Sequence, residues 1–379
     1  MRVLHLFSNH KWTGPAEPCL GLCAQLKSLG IAIDFACSSA TSAGRNKVAQ
    51  RAGELGLGPV PGLRLDKHKH PWHNWRDSRA LERMLAKTRY DIIHCHLDND
   101  HEIALAPARA AGAMVVRSSY EGEGFRRTRR HARLLRDTSW IFEPSTIAAE
   151  NDATKFAFPP RRMRVIPGSV DLARFDAQRP LPDLRARWGA GGEQFLVGIV
   201  ARMQTHRHYE DLFEAFHTLV QSHPHARLVV IGRGTKQDSV GHEPVQRLGL
   251  EDCVIFTGYL DGDDYVGALA ALDAAVYLVP GSDGTCRAVR ELLAMGVPVA
   301  VADRGMLREI VDDGGDGAVF DGTPGALARV LAAWAQDVPL RHRLATNARV
   351  HAMERFDPAA QARAVAEVYE RLVSEARRG

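Results

Sequence analysis

Residues 274–301 read AAVYLVPGSDGTCRAVRELLAMGVPVAV, and they form one complete strand–helix–strand unit. Ala274–Leu278 is a short apolar run of strand character, and Val297–Val301 is another. Between them Arg287–Met295 is helical and is closed by Gly296. The loop Gly281-Ser282-Asp283-Gly284-Thr285 lies between the first strand and the helix. Strands joined by helices of this length run parallel in one sheet, with the helices covering its faces.

The same alternation extends outward in both directions. Phe195–Val200, Leu228–Ile231 and Val254–Phe256 are further strands, with a helix over Glu210–Ser222. In the first half, Val3–Phe7, Ile31–Cys37, Asp91–His94, Ala113–Val116, Trp140–Phe142 and Met163–Ile166 read as strands. Helices fall over Pro18–Leu29, Ser78–Arg89 and Ile103–Ala111. Pro- and Gly-flanked sequence near 167–182 separates the two series, and Gln361–Ala376 is a final amphipathic helix. The expected fold is therefore α/β, with two Rossmann-like domains. The first spans 1–170, with a C-terminal helix over 357–376 packing back on it, and the second spans 171–356.

The 379 residues, 45% apolar and 25% charged, suit a folded chain of two or three domains. The net charge of +4 conceals an asymmetry: residues 1–175 carry 27 basic and 17 acidic side chains, the remainder 22 and 28. The six cysteines show no CxxC pairing and read as reduced thiols, so the expected location is cytoplasmic. The first strand is too short and polar for a signal peptide, and no apolar run reaches the length of a membrane span.

Ligands of such sheets bind beyond the carboxyl ends of the strands, where helix N-termini favour phosphate. Arg202 follows the strand Phe195–Val200, and Arg207 lies five residues on; two guanidiniums there would suit a diphosphate. Glu291 lies eight residues after Asp283, so two carboxylates are available for sugar and ribose hydroxyls.

These residues carry a resemblance. The segment from Asp283-Gly284-Thr285 through Arg290-Glu291-Leu292-Leu293-Ala294-Met295-Gly296-Val297-Pro298-Val299 resembles the E-x7-E segment of nucleotide-sugar glycosyltransferases of GT-B fold, above all the retaining glycosyltransferase family 4. Val165-Ile166-Pro167-Gly168-Ser169-Val170-Asp171 with Phe175 resembles that family's hinge, and Val200–Arg207 its "GR…K" segment. Ile231-Gly232-Arg233-Gly234 and Val254-Ile255-Phe256-Thr257-Gly258 resemble the strand ends beside the nucleotide base, and Glu309-Ile310-Val311 through Gly317 resembles "EIV.DG..G".

The resemblance implies a GT-B fold with a cleft between facing domains, a UDP- or GDP-linked sugar as co-substrate, and no required metal. It assigns Arg202 and Arg207 to the diphosphate, and Glu291 to the ribose. Asp283 and the amides of Gly284, Thr285 and Cys286 go to the transferred sugar, Gly232 and Gly258 to the donor pocket, and the Gly14 loop to the phosphates from the opposite domain. Asp283 stands where the family has glutamate, Arg207 where it has lysine, and Tyr120 where it often has histidine. His94 and His96 flank Cys95 at a strand end; one of them, His96 by preference, is expected to bind or orient a substrate, with a packing role as the alternative.

Asp98-Asn99-Asp100 and Asp261-Gly262-Asp263 match a DxD metal pattern; the latter opens a helix after Gly258, where acids cap helices, and His68, His70 and His73 read as a solvated loop. The arginine-rich stretch 125–136, with Arg126, Arg127, Arg129 and Arg130, lacks the aromatics of a nucleic-acid surface and reads either as a solvated helical face or as a face for an anionic acceptor or the inner face of the plasma membrane. The expected function is retaining transfer of a sugar to a glycan or glycolipid, in lipopolysaccharide or polysaccharide biosynthesis. The alternatives are a sugar-nucleotide epimerase of GT-B fold and a non-catalytic nucleotide-sugar-binding scaffold.

Overall fold

The computed structural model describes residues 1–42, 44–280 and 286–378. The chain divides into two compact units. The first holds residues 1–169 and the chain from Pro358 onward, and the second the described residues between 170 and 357.

The first unit is built on a six-stranded parallel sheet: β1 (Arg2–Phe7), β2 (Ala32–Cys37), β3 (Ile92–Cys95), β4 (Met114–Ser118), β5 (Trp140–Glu143) and β6 (Met163–Val165), in the order β2-β1-β3-β4-β5-β6. The second unit repeats the plan with β7 (Phe195–Val200), β8 (Ala226–Ile231), β9 (Val254–Gly258), β10 (Ala274–Tyr277), β11 (Val299–Ala302) and β12 (Gly317–Phe320), in the order β12-β11-β10-β7-β8-β9. Both orders reverse direction once, at β1/β3 and at β7/β10, and such switch points are where parallel sheets open a binding crevice. The two Rossmann-like sheets read from the sequence are thus present.

Burial on both faces explains the near-continuous apolar strands. In the first sheet Val3, Ile92, Val116, Trp140 and Phe142 face helices Ala16–Ser28 and Pro358–Arg378, while Leu4, Leu6, Ile93 and Cys95 face the opposite layer, helices Pro71–Lys87 and Asp98–Ala111. The last helix is therefore a structural member of the first unit. Ala362, Val365, Ala366, Val368, Tyr369, Leu372 and Val373 bury one side of it, and each large apolar side chain contributes about 1.5–3 kcal/mol. Gln361 bonds the Pro167 carbonyl at 3.0 Å, and Arg164 pairs with Glu367 at 2.8 Å, fixing the helix where the chain re-enters the unit.

Helix starts depart from the sequence reading. The helix expected from Ser78 begins at Pro71, because the His70 side chain caps it by accepting from the His73 amide and proline fits the first turn. His68, His70 and His73 were read as one solvated loop; His70 is instead a cap, and His73, in the first helical turn, bonds Asp66 at 2.7 Å. The helix expected from Ile103 begins at Asp98, and Asp100 accepts from the amides of Ser8, His96 and Leu97. The Asp-x-Asp pattern there is a helix start. Among the described residues no helix is long and apolar enough to cross a membrane.

Val365→Asp would put a carboxylate in the apolar seam under the last helix, at a cost of several kcal/mol. The expected result is a fall of 10 °C or so in the melting of the first unit by circular dichroism, whereas Glu367→Ala, at an exposed ion pair, should cost about 1 kcal/mol or less.

Candidate active site

At the carboxyl end of the second sheet, three strand ends are held together by backbone. The Ala201 amide bonds the Ile231 carbonyl at 3.1 Å, the Gly232 amide bonds the Gly258 carbonyl at 2.9 Å, and the Tyr209 hydroxyl donates to the Ala201 carbonyl at 2.9 Å. Gly232 has φ +139, and a Cβ there would lie 2.3 Å from the Ala201 oxygen, so no other residue fits without moving the backbone. The packing puts Arg202, Gly232 and Gly258 on neighbouring strand ends, as their positions in the sequence suggested.

Arg202 is exposed beyond β7, whereas Arg207 is buried in a short 3-10 turn, Thr205–Arg207. Arg207 Nη1 donates to the Pro280 carbonyl at 3.2 Å, on the segment after β10, and its Nε has no hydrogen-bond partner among the described residues. Arg304, which the sequence reading missed, joins the same edge by donating to the carbonyls of Leu278 (3.3 Å) and Gly322 (3.4 Å). Its cue was the glycine-flanked segment after β11. Glu291 is buried on helix Arg287–Ala294, accepts from the Tyr265 hydroxyl at 2.5 Å and pairs with Arg287 at 3.1 Å. Cys286, with φ +51, opens that helix from a buried position. Asp283, Gly284 and Thr285 lie outside the described residues.

The first sheet has its own polar edge. His5 on β1, His94 on β3, His96 just beyond β3, and Ser118 at the end of β4 lie on one face, past the apolar Val3, Ile92 and Val116. His96 bonds His5 at 2.9 Å and the Tyr120 hydroxyl at 2.7 Å; His94 bonds Ser118 at 2.8 Å and also Tyr369 of the last helix. The three imidazoles are fully buried, and burial pushes His94 and His96 well below the usual range, with the neighbouring histidines adding to the effect. Among the described residues, His5, His94 and His96 are the one group of three within reach of a single metal ion. His96 stacks on His5 and His94 at 23° and 19°, His5 and His94 are tilted by 41°, and all six ring nitrogens already have hydrogen-bond partners. His5 and Tyr369 escaped the sequence reading. Gly14 lies in the turn before helix Ala16–Ser28.

The arginine-rich stretch is less uniform than its composition suggests. Arg126, Arg127 and Arg129 are exposed and carry no ion pair among the described residues. Arg130 does not belong with them: it pairs with Glu102 at 2.9 Å, as does Arg133, and it donates to the Asp98 carbonyl. Burial pushes the Asp98 carboxyl up, but His131 at 3.1 Å and the buried Arg117 outweigh it and hold it well below the usual range. The same bond raises His131.

Residues 16–174 match the model of Glycosyltransferase Family 4, and residues 182–351 that of Glycosyl transferases group 1. The two models, both of glycosyltransferases, follow one another along the chain and together span most of it, and the fold is GT-B. The chain is 29% identical over 227 residues to the D-inositol 3-phosphate glycosyltransferase of Corynebacterium jeikeium, a match covering 57% of this chain and 54% of that protein. The chain thus spans about half the length of that relative. It is 27% identical over 327 residues to the lipopolysaccharide core biosynthesis mannosyltransferase LpcC of Rhizobium leguminosarum, covering 84% of this chain and 88% of that protein. Anabaena Alr3699/HepE, solved in complex with UDP, shares the fold with a TM-score of 0.81 at 19% identity, over 98% of this chain and 100% of that one.

Two outcomes are expected of this protein in stability measurements. Gly232→Ala should cost more than about 1 kcal/mol in chemical denaturation, because both its φ and the Ala201 carbonyl oppose a side chain. The His131–Asp98 bond should stabilise the fold fully below about pH 6.5, and the benefit should fade as pH rises through the raised value of His131. The melting-temperature gap between the native protein and His131→Gln is therefore expected to be widest at low pH and to close toward alkaline pH. A gap constant with pH would contradict it.

Proposed function

We propose that this protein is a glycosyltransferase that moves a hexosyl group from a UDP- or GDP-linked donor to a hydroxyl of a glycan or glycolipid, with retention at the anomeric carbon, in the assembly of lipopolysaccharide or polysaccharide. The observation that carries the proposal is Arg207. Arg207 is 5% exposed, its guanidinium meets one carbonyl, and among the described residues it faces no carboxylate within ion-pair distance. A buried cation left in that state calls for an anion, and a diphosphate at a parallel sheet's carboxyl edge supplies one.

In this reading the second unit binds the donor. Arg207 and the exposed Arg202 hold the diphosphate and stabilise the charge that grows as the bond from C1 to the phosphate oxygen breaks. The acceptor oxygen forms its bond to C1 on the face the diphosphate leaves, and the departing phosphate oxygen takes the acceptor's proton. Glu291 holds the ribose hydroxyls, its carboxylate oriented by Tyr265 and Arg287. Asp283 and the amides of Gly284, Thr285 and Cys286 meet the sugar, with Gly232 and Gly258 leaving room for the nucleotide. The first unit serves the acceptor through His96 and Tyr120, and Gly14 is assigned to the donor phosphates. The exposed Arg126, Arg127 and Arg129 rest against an anionic acceptor or the inner face of the plasma membrane. HepE's complex with UDP, and the naming of LpcC for lipopolysaccharide core biosynthesis, support donor and acceptor class respectively.

Incubation with UDP-glucose, UDP-galactose and GDP-mannose, with and without an envelope glycolipid extract, tests the reaction. Nucleotide release that needs the extract is expected. Isomerised donor would mean an epimerase, and binding without turnover a scaffold. Arg207→Ala should lower kcat about 100- to 1,000-fold with the melting temperature preserved. Glu291→Ala should raise the donor KM; near-native kinetics there would remove the ribose assignment.

A further inference from the structure

The six groups at the polar edge of the first sheet form one continuous hydrogen-bond chain. It runs Ser118 Oγ, His94, Tyr369 Oη, His5, His96, Tyr120 Oη, with the longest link, 3.5 Å, between Tyr369 and His5. It starts and ends two residues apart on the segment leaving β4, having passed through β3, the C-terminal helix and β1.

Hydrogen counting limits what the chain can do. Taking all three imidazoles as neutral, each has one N–H and one bare nitrogen, and each hydroxyl has one hydrogen, so six hydrogens serve five links. One is left over. If it sits on Tyr120, every donor points from Ser118 toward Tyr120, and the Tyr120 hydroxyl is free to donate outward. If it sits on Ser118 or Tyr369, Tyr120 gives its proton to His96 and shows only lone pairs. Among the described residues the Tyr120 hydroxyl has no second partner, so this polarity is what it presents to a ligand.

We propose that Tyr369 is a positioning residue that sets the hydrogen-bond polarity of Tyr120 through His5 and His96. The proposal rests on the reading of Tyr120 as a group facing the acceptor. Burial keeps His94 and His96 neutral, which the hydrogen count requires. Tyr369 is the pivot, because it is the one hydroxyl linked to two imidazoles, and it comes from a helix 275 residues away from His94 in sequence. Its hydroxyl decides whether the histidine pair beyond it inherits the direction set at Ser118.

Tyr369→Phe keeps the ring and deletes the pivot. In the full-length protein, imidazole 15N spectra should show the His96 tautomer populations shifting several-fold, although His96 makes no hydrogen bond or ring contact with position 369. Ser118→Ala leaves the last helix untouched and should shift the same His96 signals to a lesser degree, which keeps the test open if Tyr369→Phe folds poorly. With the envelope glycolipid extract as the acceptor probe, Tyr369→Phe and Tyr120→Phe should both raise the half-saturating extract concentration several-fold. The KM for the nucleotide sugar should stay within twofold. Unchanged His96 nitrogens in both chain variants would overturn the proposal. So would native acceptor kinetics in Tyr369→Phe alongside impaired Tyr120→Phe. Native kinetics in Tyr120→Phe would overturn the acceptor-side reading and the proposal with it.

Discussion

Every strand of each sheet runs in the same direction, and the rest of the molecule follows from that constraint. Parallel strands must be joined by crossovers, the crossovers are helices, and the helices bury both faces of each sheet. Polar side chains are thereby driven off the strand centres. They survive at the carboxyl edge, where the chain leaves the sheet. The first sheet shows the division on a single face: Val3, Ile92 and Val116 are apolar, and two residues later on the same strands come His5, His94 and Ser118. The second sheet collects Arg202, Gly232, Gly258 and the Arg207–Pro280 contact at its equivalent edge.

The parts of this arrangement that sequence reasoning reached are those with a short-range cause. Strands of four to six residues between helices were visible because burial on both faces leaves uninterrupted apolar runs, as in Phe195–Val200. The four-residue β12 was not, since Gly317-Ala318-Val319-Phe320 is indistinguishable from a loop until it pairs with β11. Helix Val338–Arg355 escaped for another reason. It buries Leu344, Ala348 and Ala352, a seam of mostly small residues that leaves little apolar periodicity to detect. The early starts at Pro71 and Asp98 were missed because first turns are polar and hold their caps in side chains.

At the candidate site the same distinction applies. Arg202, Arg207 and Glu291 stand beside a strand or on a helix whose motif the chain itself displays. His5 looks like an interruption in an apolar strand until the β1–β3 register places it against His94, and Tyr369 is one polar residue on an amphipathic helix. Composition misled in one place. The run of arginines before Arg136 suggested a uniform basic face, yet Arg130 and Arg133 are taken up by Glu102, and Arg117 by Asp98. The acids that neutralise them are on a helix about thirty residues earlier, so counting charge along the chain could not see the pairing.

The replacement of the family's lysine by Arg207 has a physical meaning that burial makes specific. A lysine ammonium is a point charge that surrenders its proton readily when dehydrated, whereas a guanidinium stays charged and has five N–H groups to satisfy in a fixed plane. Arg207 satisfies one with the Pro280 carbonyl, and that bond fixes the plane of the fork relative to the segment after β10. A lysine held by the same carbonyl would still rotate its remaining donors. Arginine therefore trades freedom for orientation: with one arm tied down, the remaining N–H groups can meet two oxygens of a diphosphate together only where the fork already points. In the proposed reading, the same substitution makes the Pro280 carbonyl part of the anion site, so one contact sets the orientation of the buried cation.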